Sequence, residues 1–233
     1  MRIIIIFIIV LILITILIKP KRIKHVTIPG NIKLKVDTNI VYDWTRFDYV
    51  NQWGKTIIHE LKNSPMPQGI HFLDAMCGSG WLPLMVAHAF PLLDVVYSDI
   101  SKEAVSLCKH NFQINQINNG YAYVGDLFQP TAKLKTWPKY SFLYPPQIQA
   151  NYHNDDLAGP AISLFVHNQY TLFHRIAREL PTLLNGQAVL WLGVDFELIQ
   201  TVIHIFTSQN WICNHNYNIN QKLPSALIQF KYG

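Results

Sequence analysis

Residues 37–233 predict an α/β fold: a doubly wound, mostly parallel seven-stranded sheet with an antiparallel edge hairpin. Two observations carry this. Short apolar runs alternate with amphipathic helical stretches, the pattern of a parallel sheet covered on both faces. The acids and turn residues then fall at the ends of the strands, the edge at which such sheets bind ligands. They are Asp74, the Gly78/Gly80 loop, Asp99, Asp126 and the turn Tyr144-Pro145-Pro146-Gln147. A third feature stands apart: an apolar run at the N-terminus.

The elements are taken in chain order. Residues 37–46 are irregular, and 47–62 carry a helical pattern. GIHFLDA is a short apolar run ending in a carboxylate, a strand, and CGSG leads from it into the helix WLPLMVAHAF. LDVVYSD is a second strand ending in a carboxylate. SKEAVSLCKHNFQINQ is a helix, with Ser101 suited to cap it because its hydroxyl can accept from an unpaired backbone N–H. YAYVGD is the third strand and SFLYPP closes the fourth. Proline cannot donate to a strand ladder, so Pro145 and Pro146 end that strand and stiffen the turn into Gln147. Residues 161–184 read as a long helical stretch, QAVLWLG as the fifth strand and 195–209 as a helix. WICNHNYNI and ALIQFKYG read as the closing hairpin.

Residues 3–18, IIIIFIIVLILITILI, hold a single polar side chain, Thr15. As a helix this run is about 24 Å long, close to a ~30 Å hydrocarbon core, and Lys19 can snorkel to lengthen it. It is read as a transmembrane anchor, 1–18. A secretory signal peptide and a buried segment are the alternatives; KPKRIKH follows the run, not a small-residue cleavage site. Four of the six residues from Lys19 to Lys24 are basic, so the positive-inside rule puts the C-terminal domain in the cytoplasm, on a single-pass membrane protein. Residues 19–36 read as a basic juxtamembrane linker suited to anionic lipid headgroups.

The net charge of +5 belongs to this N-terminus. Residues 1–36 hold seven Lys or Arg and no acid, whereas 37–233 hold 12 Lys or Arg against 14 Asp or Glu, a net −2. That balance disfavours a nucleic-acid partner. Cys77, Cys108 and Cys213 are far apart and form no CxxC pair, which argues against a zinc site or a disulfide framework and fits a reducing compartment. No metal is expected.

FLDAMCGSGW is strand, glycine loop, helix. Gly78 and Gly80 allow a sharp turn and let a ligand approach the backbone. Asp99 lies 19 residues past Gly80, at the end of the next strand, where a carboxylate can accept from both hydroxyls of a ribose. Ile100 is placed to pack on an adenine face, and Asp126 to accept from its exocyclic amine. Cys77 sits in the loop as a small filler, not a nucleophile. Trp81 is assigned to helix packing. The polar loop 151–160, with His153, and the stretch Asp43, Trp44 and Arg46 are candidate substrate-side covers.

The order DAMCGSG, YSDIS, GDLF and a strand ending in a Pro-Pro turn resembles the class I S-adenosylmethionine-dependent methyltransferases. It is most similar to the branch that methylates planar amino groups through an Asn-Pro-Pro-Tyr turn, and within it to the protein-glutamine methyltransferases that modify release factors. LFHRIARELPTLLNGQAVLWLG resembles the helix and strand after that turn, so the likeness covers about residues 40–233. It implies a Rossmann-like domain with S-adenosyl-L-methionine as cofactor. Asp74 would orient the loop and meet the amino-acid end of the cofactor, while Met76, Cys77, Gly78 and Gly80 shape that loop. Asp99 and Ile100 would hold the ribose and adenine, Asp126 and Leu127 frame the adenine, and Tyr144, Pro145, Pro146 and Gln147 take the catalytic position.

Two departures stand out. Met76 replaces the first loop glycine. Tyr144 and Gln147 replace the Asn and the Tyr of the catalytic turn, the residues that accept from the target NH2 and stack on its plane. The reading is a membrane-tethered enzyme that methylates a nitrogen of a protein or small molecule. A degenerate cofactor-binding module that serves as an anchored partner-binding domain, or a nucleic-acid amino-methyltransferase, are the alternatives. The helical recognition domain of the release-factor enzymes has no counterpart before residue 37.

Overall fold

The computed structural model describes residues 23–42, 45, 49–64, 71–130, 134, 138–149, 165–166, 169–183, 187–217 and 225–233. The run 3–18, the loop 151–160 with His153, and Asp43, Trp44 and Arg46 lie outside them. Among the described residues no helix is long and apolar enough to cross a membrane.

The domain is built on a seven-stranded sheet. Its strands are β3 (His71–Asp74), β4 (Asp94–Asp99), β5 (Gly120–Val124), β6 (Tyr140–Leu143), β9 (Ala188–Asp195), β10 (Trp211–Tyr217) and β11 (Ser225–Tyr232). The spatial order is β10-β11-β9-β6-β3-β4-β5. β9, β6, β3, β4 and β5 pair in parallel, and β11 joins antiparallel between β9 and β10. This is the Rossmann-like, mostly parallel sheet with an edge hairpin that the alternating pattern predicts. The order reverses between β3 and β6, which opens a crevice at their carboxyl ends.

Among the described residues five helices cover the sheet: α1 (Tyr49–Lys62), α2 (Trp81–Ala89), α3 (Lys102–Ile114), α4 (Gln169–Leu183) and α5 (Ile199–Thr207). α1, α2 and α3 bury Trp53, Ile57, Leu82, Met85 and Phe112 in one core cluster. α4 and α5 bury Phe173, Ile176, Leu180, Val202 and Phe206 in the other. The strands between are apolar on both faces, as a doubly covered sheet requires: Phe72, Leu73, Val95, Val96, Phe142 and Leu143 are all buried. Ser101 caps α3 as expected, its hydroxyl accepting from Ala104 N at 3.1 Å.

Residues 23–37 depart from the expected linker. β1 (Ile23–Ile28) and β2 (Ile32–Asp37) form an antiparallel hairpin, with Gly30 and Asn31 in the left-handed region of its three-residue turn. The reason is the alternation of IKLKVD. Ile32, Leu34 and Val36 point inward and are buried, while the lysines that suggested a linker point outward. Burying each of these apolar side chains contributes about 1.5–3 kcal/mol, which holds the hairpin to the domain.

Two asparagines fix its register. Asn111 on α3 and Asn115, the residue that caps its C-terminus, face β2 as a substitute strand. Asn111 Oδ1 accepts from Lys35 N at 2.8 Å, and its Nδ2 donates to Lys35 O at 2.9 Å. Asn115 does the same for Lys33, at 2.8 and 2.6 Å. Asn111 Nδ2 also donates to Ser79 O at 2.8 Å, so one buried amide joins hairpin, helix and glycine loop. A second small sheet pairs β7 (Ile148–Gln149) with β8 (Phe165–Val166).

Candidate functional site

A cavity of about 270 Å³ lies at the crevice between the carboxyl ends of β3 and β6. Of the residues singled out by sequence, Met76, Cys77, Gly78, Asp99, Ile100, Asp126, Leu127, Tyr144 and Pro146 line it. Asp74, Gly80, Pro145 and Gln147 stand behind that lining.

The glycine loop is held from below. Asp74 is buried and its carboxylate accepts from Met76 N at 3.1 Å. Burial in the β3 end pushes its pKa up to about 8, with repulsion from Asp99 adding to the rise and the Met76 bond opposing it. Gly78 has φ +50 and its N–H donates to Asp99 Oδ2 at 3.0 Å. Gly80 has φ +83 at the start of α2, and its N–H donates to Cys77 O at 2.8 Å. A Cβ on Gly80 would lie 2.3 Å from Cys108 Sγ, so only glycine fits there. Met76 in place of a glycine is accommodated, since it is half-buried at the cavity wall and takes no left-handed angle. Burial pushes the Cys77 thiol well up, which removes the thiolate a nucleophile needs.

Asp99 faces the cavity from the end of β4. Oδ1 accepts from Ser101 N at 2.9 Å and Oδ2 from Gly78 N. The carboxylate lines the cavity, where its remaining acceptor capacity can meet a ribose hydroxyl. Burial raises its pKa, and the backbone N–H groups of Ser101, Gly78 and Ile100 work against that rise. Ile100 is half exposed, an apolar surface beside the carboxylate. Asp126 has a partner that its sequence did not announce. Arg175 on α4 binds it at 3.0 Å and reaches Glu179 at 3.0 Å. Any ligand amine at Asp126 shares the carboxylate with that guanidinium. Leu127, at φ +47, turns the chain so that its side chain is buried against the site.

The Pro-Pro turn is clamped at both ends. Gln147 is buried; its Nε2 donates to Gly193 O at 3.2 Å, and its Oε1 accepts from Asp195 N at 2.8 Å. It is thus a bridge to β9 and does not face an acceptor. Tyr144 lies edge-on to Trp53, with ring centroids 5.3 Å apart, and its hydroxyl sits 3.1 Å from Ser225 Oγ. Pro145 is buried beneath, and Pro146 reaches the cavity.

Several wall residues escaped the sequence reading. Ile40, Val41 and Tyr42, between the hairpin and α1, form one side of the cavity. Phe142 and Leu172 form others, and Trp81, assigned by sequence to helix packing alone, also lines the cavity and packs edge-on against Phe142. The alternating IKLKV was the signal for the hairpin that positions Ile40–Tyr42; nothing local marks Arg175. Among the described residues, no group of three His, Cys, Asp or Glu stands together as a metal site.

The carboxylate at the second strand end, the glycine loop below it and the apolar wall fit S-adenosyl-L-methionine, a nucleoside bearing a charged amino-acid tail. Comparison with known proteins agrees. Residues 36–136 match the family model of the methyltransferase small domain. The release factor glutamine methyltransferase of Aliivibrio fischeri is 30% identical over 156 residues, 63% of this chain and 53% of that protein. That of Chlamydia trachomatis is 29% identical over 144 residues, 58% of this chain and 47% of that protein. The chain thus spans about half the length of these relatives. Among solved structures, the ribosomal protein L11 methylase of Lactobacillus delbrueckii subsp. bulgaricus superposes with a TM-score of 0.55 at 13% identity, over 79% of this chain and 78% of that one. TrmN of Thermus thermophilus gives 0.56 at 13% identity, over 77% and 48%. These two share the fold. By its sheet, its match to the methyltransferase small domain and its likeness to these relatives, the chain is similar to the class I S-adenosylmethionine-dependent methyltransferases, and the curated relatives it matches are protein-glutamine enzymes.

Proposed function

We propose that the protein methylates a nitrogen of a protein or small-molecule acceptor, using S-adenosyl-L-methionine. One observation carries this reading: the carboxylate and glycine loop of a cofactor site and a rigid Pro-Pro turn line the same cavity. The bound cofactor supplies an electrophilic methyl on a sulfonium, so no metal or strong base is required of the protein. The chain's own part is to hold and aim. Asp99 and the Gly78 loop hold the nucleoside, Asp74 sets the loop, and Asp126 and Leu127 frame the base. Tyr144 and Pro146 give the acceptor a floor.

In this reading residues 3–18 anchor the protein in a membrane as a single pass, with the domain on the cytoplasmic side and basic residues from Lys19 onward at the headgroups. Tethering would then select acceptors by proximity. A release factor is the first acceptor to try, because the matched relatives are named for it. A nucleic-acid acceptor is disfavoured by the net −2 of residues 37–233. The second reading, a cofactor-binding partner module without turnover, is favoured by Gln147, whose amide is spent on β9.

The test uses the full chain in lipid nanodiscs. S-adenosyl-L-methionine and its demethylated product are titrated by calorimetry, and methyl-tritiated cofactor is then offered with a purified release factor and with a membrane extract. Saturable binding with label transferred to protein or metabolite supports the enzyme. Binding with no transfer moves the module reading to first place, and no binding defeats both.

A further inference from the structure

The turn of the β1–β2 hairpin closes a second cavity, of about 260 Å³, against α1 and α2. α1 gives it Lys55, Ile58, His59 and Lys62, which follow at the i, i+3, i+4, i+7 spacing of one helix face. α2 gives it Met85 and His88. Gly30, at φ +87 in the turn, is pressed on His88: a Cβ there would lie 2.9 Å from Cδ2 of the ring. The hairpin thus forms one wall of the cavity and seats the histidine in it.

Two chemistries meet here. Met85 is buried and Ile58 half-buried, an apolar part; Lys55, His59, Lys62 and His88 are exposed. Among the described residues that line the cavity none is acidic. Glu60, beside His59 in sequence, is turned to Tyr217 of β10. Asn63 Nδ2 lies 3.2 Å from His59 Nε2 and can only donate there, so the neutral ring carries its proton on Nδ1 and has it to give. Cations near helix ends are ordinary. His59 and Lys62 lie in the last turn of α1 and His88 in that of α2, where the carbonyl ends favour positive charge. Lys55 stands a turn earlier, and a helix end needs no apolar cavity beside it.

We infer that this cavity is a docking site for the headgroup of an anionic phospholipid. The ammonium and imidazole donors hold the phosphate, and Ile58 and Met85 take the first methylenes beyond it. Charge selects the anion, and the apolar part favours one that carries hydrocarbon over free phosphate. The place in the chain points the same way. The hairpin follows directly on the apolar run 3–18 and the basic residues from Lys19 to Lys24. Ile23 stands at one end of β1 and the cavity at the other, five residue steps or about 17 Å away. Two attachments that far apart fix the tilt of the domain on a bilayer. The inference rests on the anchoring of residues 3–18 proposed above, and it adds to it a headgroup-specific contact on the folded domain.

The experiment uses the full chain in nanodiscs of phosphatidylcholine, with and without phosphatidylglycerol, and reads lysine acylation by mass spectrometry. Lys55 and Lys62 should be modified about fivefold more slowly in the anionic discs, the weight of one lysine–headgroup contact. Lys102 of α3 and Lys231 of β11, also exposed, should be modified equally in both. His88→Glu puts a carboxylate where the phosphate would sit and should bring the Lys55 and Lys62 ratios to about one. Unchanged labelling of Lys102 and Lys231 shows that this variant is folded. Excess inorganic phosphate added to the neutral discs should protect neither Lys55 nor Lys62.

Lys55 and Lys62 labelled equally in the two discs overturn the inference. Protection that survives His88→Glu is a general attraction of basic side chains to the bilayer and overturns it too, as does protection by inorganic phosphate alone, which marks a free-anion site. Anchoring is read separately, from whether the chain stays with neutral discs in high salt. If it does not, the anchoring reading fails, and the same lysine ratios taken with excess anionic vesicles still decide the cavity.

Discussion

The glycine-loop half and the Pro-Pro half of this cavity are built by opposite means. Around Asp74, Gly78, Gly80 and Asp99, main-chain N–H groups bond to two carboxylates, and the side chains are small. Around Tyr144 and Gln147, side chains reach across the sheet edge to β9 and β11. The first arrangement tolerates few substitutions, because each glycine angle and each carboxylate has a main-chain partner. The second can be rewired, because one side chain can stand in for another if its hydrogen-bond polarity is kept.

The largest effect expected tests the burial of Asp74. Its folded pKa is about 8 against an ordinary 3.8, so between those values the folded state holds a proton that the unfolded state has lost. Stability should fall as pH rises from about 4 to about 8, by several kcal/mol in order of magnitude, and level off above. Urea titrations across that range check it, and Asp74→Asn should flatten this part of the dependence. A slope unchanged in that variant would show that Asp74 ionises normally and that the loop rests on something else.

Next in size is Asp99→Ala. Two backbone N–H groups and a ligand diol lose their acceptor, and cofactor affinity should drop about a hundredfold by calorimetry. Unchanged affinity would break the assignment of the cofactor half. Gln147→Ala is the matched change in the other half. It should cost about 2 kcal/mol by chemical denaturation, since Gly193 O and the Asp195 N–H lose a buried partner, while cofactor affinity stays put. A parallel loss of affinity would show that the halves are coupled.

The smallest effect separates two asparagines. Asn115→Ala should lower stability by about 1 kcal/mol without touching cofactor affinity, because Asn115 meets only the hairpin and its own helix. Asn111→Ala should do both, through its bond to Ser79 O. Equal affinity in the two variants would confine the hairpin to a structural part.

Much of this was legible in the residues, for a physical reason. Asp74 and Asp99 at their strand ends, and Asp126 two residues past the end of β5, mark the ligand edge, since these carboxylate side chains have no ladder role. The seven strands and the closing hairpin came from runs such as VLWLG and LIQFKY, too apolar to face water. The β1–β2 hairpin was hidden by its charge: in IKLKV the lysines draw attention and the alternation does not. Gln147 was read as a lost stacking face, whereas its amide is an internal bridge, and only β9 in place reveals that. The Arg175 pair with Asp126 joins residues 49 apart, a contact that no local pattern encodes. The placement of residues 40–42 on the cavity wall was equally invisible, because it depends on the hairpin.

That hairpin sets a reach. Ile23 pairs with Asp37, and Asp37 O receives the N–H groups of Ile40 and Val41, which border the cavity. Five residue steps separate Ile18 from Ile23, a leash of at most about 17 Å fully extended. Under the proposed anchoring of residues 3–18, the anchoring surface would lie within a short arm of the cavity rim. A methyl acceptor on that same surface would need no diffusion to find the site, and one elsewhere would have to be carried to it.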